Sequence, residues 1–206
     1  MLDNKCCSNN KMIKYSILIV AVGLSLWAFD TNILFLIQGL LRNPVFDAII
    51  PIYTTLGEWA IMWIVIGIVM LFFKKYRKCG FLLLIALLVG LLICNIALKN
   101  IVARTRPCYI YPEMLQLVGK PSEFSYPSGH SVSSMSAALT ILLHHKKLGK
   151  IAMILAVLMG LSRLYVFVHF PTDVFGGFLI GAGIALAVHY TDKKISEKRQ
   201  TAKADT

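Results

Sequence analysis

The chain has 206 residues, 57% of them hydrophobic and only 15% charged, with a mean hydropathy of +0.71; that is too little polar surface for a soluble domain and predicts an integral membrane protein with one domain and almost no soluble part. The net charge of +11 does not mark a nucleic-acid binder, because the cations lie in short clusters between apolar runs, as membrane-flanking anchors do.

Residues 1–14 form a polar segment with Lys5, Lys11 and Lys14, followed by a first apolar run, Tyr15 to Phe29. No small-x-small cleavage site precedes Asp30 and further spans follow, so an uncleaved transmembrane helix is expected rather than a signal peptide. Residues 33–50 are apolar but interrupted by Asn43-Pro44, too short to cross, and predict one or two helices lying at the membrane surface. Trp59 to Phe73 is the core of the second span, closed by Lys74-Lys75-Tyr76-Arg77-Lys78. Phe81 to Leu98 is the third, and Lys99 to Tyr126 a long polar loop. Gly129 to Leu143, rich in serine and alanine, is the fourth; Ile151 to Val166 the fifth; Thr172 to Tyr190 the sixth. Runs of about 17 or more mostly apolar residues suffice for roughly 30 Å of hydrocarbon. The spacing Gly177-x-x-x-Gly181 allows close helix contact inside the bundle. From Thr191 the chain is charged and expected to be disordered. The fold class is therefore all-α: a six-transmembrane-helix bundle over residues 15–190, between a cytoplasmic N-terminal segment, 1–14, and a basic cytoplasmic tail, 191–206.

Six spans place both termini on one side. Of the 21 Lys and Arg residues, fifteen then fall on that side; Arg42, Lys99, Arg104, Arg106, Lys120 and Arg163 fall on the other. The positive-inside rule assigns both termini to the cytoplasm of a multi-pass cell-membrane protein. The five cysteines, Cys6, Cys7, Cys79, Cys94 and Cys108, match neither a disulfide framework nor a zinc-ligand pattern; Cys6-Cys7 reads as a reduced cytosolic pair.

Three polar motifs then share the extracytoplasmic face. Lys99 and Arg106 are seven apart, close to two helical turns, and can present two cations on one side if the span continues to Pro107. Arg104 and Lys120 read as lipid-headgroup anchors. Pro127-Ser128-Gly129-His130 opens the fourth span; a helix N-terminus favours phosphate, Ser128 adds a hydroxyl, and Gly129 permits close backbone approach, although a plain serine cap gives the same pattern. His169 and Asp173 are four apart around Pro171, a spacing that lets the carboxylate fix the imidazole tautomer, or merely cap a helix. With Arg163, the set supplies three cations, an anion-binding helix start and two histidines, one with a carboxylate partner. No cluster offers metal ligands. The combination suits phosphoryl transfer through a phosphohistidine. A non-catalytic lipid flippase or anion transporter would account for the cations but not for both histidines. Tyr109, Tyr111, Phe124 and Tyr126 read as an interfacial aromatic belt.

Lys99-x6-Arg106-Pro107, then Pro127-Ser128-Gly129-His130, then Ser162-Arg163-x5-His169-x3-Asp173 resembles the three-part signature of the type 2 phosphatidic acid phosphatase (PAP2) superfamily, with every motif position matched. The resemblance implies a six-helix bundle with an extracytoplasmic site and a core similar to that of vanadium haloperoxidases. It implies His169 as nucleophile, Asp173 as its orienting partner and His130 as acid to the leaving oxygen, with Lys99, Arg106, Arg163, Ser128 and Gly129 holding the phosphoryl oxygens. His169 is then neutral while His130 is protonated. No cofactor or metal, no nucleic acid and no obligate protein partner is implied; the partners are the bilayer and a lipid phosphate embedded in it. The compact size resembles bacterial members that act on undecaprenyl diphosphate, phosphatidylglycerol phosphate or phosphatidic acid. The first is favoured, since recycling that carrier requires an external phosphatase, although such diphosphatases often carry Asp where this chain has Gly129.

Overall fold

The computed structural model describes residues 27–204, so the predicted first span, Tyr15 to Phe29, lies almost wholly outside the described residues. Regular structure in them is helical throughout: α1 (Asp30–Leu41), α2 (Pro44–Thr55), a 3-10 turn (Glu58–Ala60), α3 (Ile61–Phe72), α4 (Arg77–Leu91), a wider π-helical stretch (Leu92–Leu98), α5 (Lys99–Val102), α6 (Pro107–Ile110), α7 (Gly129–His144), α8 (Lys146–Tyr165) and α9 (Pro171–Ala204).

The stretch predicted to hold surface helices contains α1 and α2. Asn43 separates them in an extended conformation, its side chain accepting from Phe46 N, with Pro44 in the first turn of α2. Both helices are fastened to the end of α8. Gln38 Nε2 donates to the carbonyls of Leu164 (3.1 Å) and Tyr165 (2.8 Å), which satisfies two acceptors that a helix end leaves free. Tyr165 Oη donates to Asp47 at 2.7 Å, and Leu34 is fully buried beside Leu164, Phe167 and Phe170.

The chain bends by 54° between α2 and the turn leading into α3. Trp59 and Ala60 sit there with φ of 52° and 58°, in the left-handed region that costs a non-glycine residue about 1–3 kcal/mol. By length and composition, three described helical runs can cross a membrane: Arg77–Ile110, Lys146–Tyr165 and Pro171–Ala202. The bent pair Pro44–Thr55 with Glu58–Phe72 makes a fourth if it counts as one span. The chain is thus a multi-pass membrane protein, but the count of six is not reached among the described residues. The expected fourth span, α7, has 16 residues, about 24 Å of helix at 1.5 Å per residue, short of the hydrocarbon thickness.

Instead α7 is the central post of the bundle. Its small buried side chains, Ser131, Ser134, Ser136, Ala137 and Ala138, let α4, α8 and α9 close around it. The predicted Gly177/Gly181 contact is made here: a Cβ on Gly181 would stand 2.5 Å from the Val132 carbonyl oxygen, and one on Gly177 2.8 Å from that of Ser128. Trp63, fully buried, donates its indole N–H to Ser134 Oγ at 2.9 Å. Outward-facing Leu36, Ile52, Phe72, Ile101 and Ile154 leave an apolar exterior of the kind lipid covers.

The segment expected to be disordered after Thr191 continues α9 as helix to Ala204. It contains no Gly or Pro to stop it, and Lys78 pairs with Asp192 at 2.7 Å while Lys193 faces Glu197 one turn on.

Candidate active site

Three breaks in helix bring the polar motifs together. First, α5 ends at Val102 because Ala103 turns left-handed (φ 47°), its N–H returning to Lys99 O. Lys99 and Arg106 therefore do not share one helix face, as continuation to Pro107 would require; Arg106 reaches the same place from the extended residue before α6. Second, Ser128 stops the loop and starts α7. Third, Phe167 (φ 61°) ends α8 and turns His169 inward ahead of Pro171, the first residue of α9.

The result is a cavity of about 650 Å³. Lys99, Arg106, Gly129, His130, Arg163 and His169 line it, together with Glu58 and Glu123. Ile64 of α3, Leu84, Leu87, Leu88 and Leu91 of α4 and Val132 of α7 also line it. Lys99, Arg106 and Arg163 are each about 95% buried or more, at 5%, 3% and 4% exposure, a density of enclosed cation that calls for an anion.

His169 is 2% exposed. Arg106 Nη1, which can only donate, lies 2.9 Å from Nε2. Nε2 is therefore the acceptor nitrogen, and the proton sits on Nδ1. That nitrogen faces Ser125 Oγ at 3.4 Å and Asp173 Oδ2 at 3.5 Å. Burial pushes the His169 imidazole well below its ordinary value, and the charges of Arg106, Arg163 and Lys99 add to the effect; only the contact with Ser125 opposes it. A neutral ring with its lone pair on Nε2, at the wall of a cationic cavity, is equipped to attack phosphorus.

Asp173 lies behind that ring and is fully buried. Its Oδ2 accepts from Ser125 Oγ (2.5 Å) and Phe170 N (2.8 Å), and its Oδ1 from Arg104 (2.8 Å). Arg163 Nη1 donates to Thr54 Oγ1 at 2.8 Å, while its Nε and the Nε2 of His130 are buried without partners. The Arg163 Nε–H, a donor without an acceptor, suits an anion supplied from outside; burial, then the charge of Arg163, holds the His130 imidazole well below its ordinary value, so the protonated His130 expected from the sequence is not its resting state. Lys99 Nζ is paired with the Glu123 carboxylate, and Arg106 Nε donates to the Glu123 carbonyl at 2.7 Å.

Of the residues singled out in the sequence, Lys99, Arg106, Gly129, His130, Arg163 and His169 meet at the cavity. Ser128 is not in its lining: its Oγ accepts from Ser131 N (3.4 Å) and Ser131 Oγ (3.0 Å), the plain cap geometry. The headgroup-anchor reading of Arg104 is corrected by the structure, for the guanidinium is held between Asp30 and Asp173. Lys120 lies over the Tyr109 ring at 5.7 Å. In the aromatic loop Tyr111 stacks edge-on against Phe35, and Tyr126 packs where a side chain at Gly176 would stand. Tyr109 and Phe124 remain exposed. Thr54, Ser125, Glu123 and Asp30 escaped notice, since each lies tens of residues from its partner; Thr54 and Arg163 are 109 apart.

A family model described as the PAP2 superfamily matches residues 79–197. The chain is 36% identical over 125 residues to an undecaprenyl-diphosphatase from Sulfolobus acidocaldarius, spanning 60% of this chain and 60% of that protein. It is 35% identical over 175 residues to phosphatidylglycerophosphatase B from Bacillus subtilis, spanning 78% and 82%. The crystal structure of a transmembrane PAP2-type phosphatidylglycerolphosphate phosphatase from Bacillus subtilis superposes with a TM-score of 0.66 at 32% identity, over 87% of this chain and 96% of that one.

Proposed function

We propose, from the premise that this chain belongs to the PAP2 superfamily of membrane lipid phosphatases, that it removes the terminal phosphoryl group of undecaprenyl diphosphate at the extracytoplasmic face, through a phosphohistidine on His169. The observation that carries the reading is the cavity itself: its lining combines a neutral imidazole nitrogen and three enclosed cations with apolar side chains from α3, α4 and α7. Those apolar side chains suit a lipid chain, and the cations suit its phosphate.

In the proposed reaction Nε2 of His169 attacks phosphorus while the bond to the bridging oxygen breaks. Arg106, now on Nε2, moves to a phosphoryl oxygen. Lys99, Arg163 and the start of α7 at Gly129 take the other charge that develops there. His130, neutral at rest, takes up a proton from solvent once the phosphate's negative charge is beside it and gives that proton to the leaving oxygen, which departs as the lipid monophosphate. Asp173 holds the proton on Nδ1 and stabilises the charge on the ring as the N–P bond forms. Water then hydrolyses the N–P bond, releasing phosphate and the neutral ring. Ser128 acts in this scheme by capping α7, so that the Gly129 turn faces the phosphate. The charge asymmetry supports an outer position for the site, with Lys74, Lys75, Arg77, Lys78, Lys146, Lys147 and Lys150 at the other ends of the same helices.

Phosphatidylglycerol phosphate is the second reading. It is favoured by the match to the phosphatidylglycerophosphatase of Bacillus subtilis, which spans 82% of that protein. The deciding experiment compares kcat/KM on undecaprenyl diphosphate, phosphatidylglycerol phosphate and phosphatidic acid in detergent. Preference for the diphosphate supports the first reading, and preference for a glycerolipid displaces it. Acid-stable retention of label, or phosphate release by His169→Ala at the wild-type rate, would refute the phosphohistidine.

A further inference from the structure

Arg104 lies two residues before Arg106 but not in the cavity lining. Its guanidinium fork is divided between two carboxylates. Nη2 donates to Asp30 Oδ2 at 2.7 Å. Nη1 donates to Asp173 Oδ1 at 2.8 Å and to Thr172 Oγ1 at 2.7 Å. The plane rests on the Phe170 ring, 4.1 Å from its centroid. Asp30, at the start of α1 and 3% exposed, also accepts from Thr172 N at 2.8 Å and from the Thr172 hydroxyl. It thereby caps the first turn of α9 from another helix. Arg104 reaches Asp173 by a second route, since its carbonyl accepts from Ser125 N at 2.8 Å and Ser125 Oγ donates to Asp173 Oδ2.

We propose that Arg104, braced by Asp30, is a positioning residue for the His169 step: it supplies the countercharge that keeps the buried Asp173 carboxylate ionised and, by holding Oδ1, helps keep Oδ2 toward His169 Nδ1. The proposal rests on the reading of His169 as nucleophile. A carboxylate at zero exposure is costly without an opposite charge, and among the described residues Arg104 is its one Lys or Arg partner. With Oδ1 held by Arg104 and Oδ2 by Ser125 Oγ and Phe170 N, the carboxylate is fixed from both sides with Oδ2 toward the imidazole, and Arg104 is the charged one of these partners. A lysine at 104 restores a point charge but cannot fork across both acids.

The test uses full-length wild type, Arg104→Ala, Arg104→Lys and His169→Ala, purified in detergent and assayed on whichever of undecaprenyl diphosphate, phosphatidylglycerol phosphate and phosphatidic acid the wild type turns over fastest. Arg104→Ala is expected to lower kcat about 10- to 100-fold, with KM held within about threefold, as for other outer partners that orient a reacting group. Arg104→Lys is expected to fall between, and millimolar guanidinium to restore part of the kcat of Arg104→Ala. Wild-type kcat in Arg104→Ala, or a loss confined to KM, overturns the proposal. If Arg104→Ala does not fold, Arg104→Lys is read by the same split: reduced kcat at constant KM supports the role, and wild-type kcat refutes it. Activity surviving in His169→Ala would instead strike at the nucleophile reading, so the two failures are distinguishable.

Discussion

Glu123 stands where the substrate must go. Its carboxylate pairs with Lys99 Nζ at the cavity, with the Lys99 side chain 7% exposed and the Glu123 side chain 51% exposed. Phosphate entering the cation cluster has to displace that carboxylate before it gains Lys99. Because Glu123 faces solvent, the pair belongs with exposed ion pairs, worth about 0.2–1 kcal/mol. Glu123→Gln removes the competing charge and keeps the shape. The backbone carbonyl that receives Arg106 Nε is untouched. At about 1.4 kcal/mol per factor of ten, the KM for a lipid phosphate should fall by about 1.4- to 5-fold, with kcat little changed. The gain should shrink as salt screens the pair. Steady-state phosphate release in detergent at low and high ionic strength measures both effects. An unchanged or raised KM at low salt would refute the idea that Glu123 competes with substrate for Lys99.

Three further outcomes are expected. The His169 imidazole, held neutral by burial and then by Arg106, Arg163 and Lys99, should keep its neutral signal in histidine-labelled NMR as pH drops below about 6.5, the unfolded value; a midpoint at or above that pH refutes it. Since the folded group binds its proton less readily than the unfolded one, its contribution to stability is complete above that pH and is lost as pH falls from it toward the folded pKa. Gly57→Ala would put a Cβ 2.6 Å from both His130 Cδ2 and Met159 Sδ. The displaced ring should cost about 10- to 100-fold in kcat with the fold retained, measured by turnover beside thermal unfolding. Gly181→Ala, meeting the Val132 carbonyl at 2.5 Å, should destabilise the α7–α9 contact by about 1–3 kcal/mol, read as a lowered unfolding midpoint.

What the sequence discloses and what it withholds divide along a physical line. Apolar runs, the Pro and Ser that open helices, and the glycine pair at 177 and 181 act over one or two turns, so their structural effect is written locally. The bends that assemble the site are not: Trp59, Ala60, Ala103 and Phe167 take left-handed φ although none is glycine, and only the packing around them enforces it. Arg104 shows the same limit in charge. A headgroup anchor and a buried counter-ion look alike in sequence, each an arginine beside an apolar helix end. Its partners, Asp30 and Asp173, lie 74 and 69 residues away. Yet the choice can be argued by counting charge. Once Lys99, Arg106 and Arg163 are committed to an anion, two acids at the ends of apolar runs, Asp30 and Asp173, still need a cation when buried. Of Arg42, Arg104 and Lys120, Arg104 is the one next to a committed motif cation and itself uncommitted. An acid at a membrane boundary without a local partner is therefore a demand for a remote one, and here it points to the residue that local pattern had assigned to lipid.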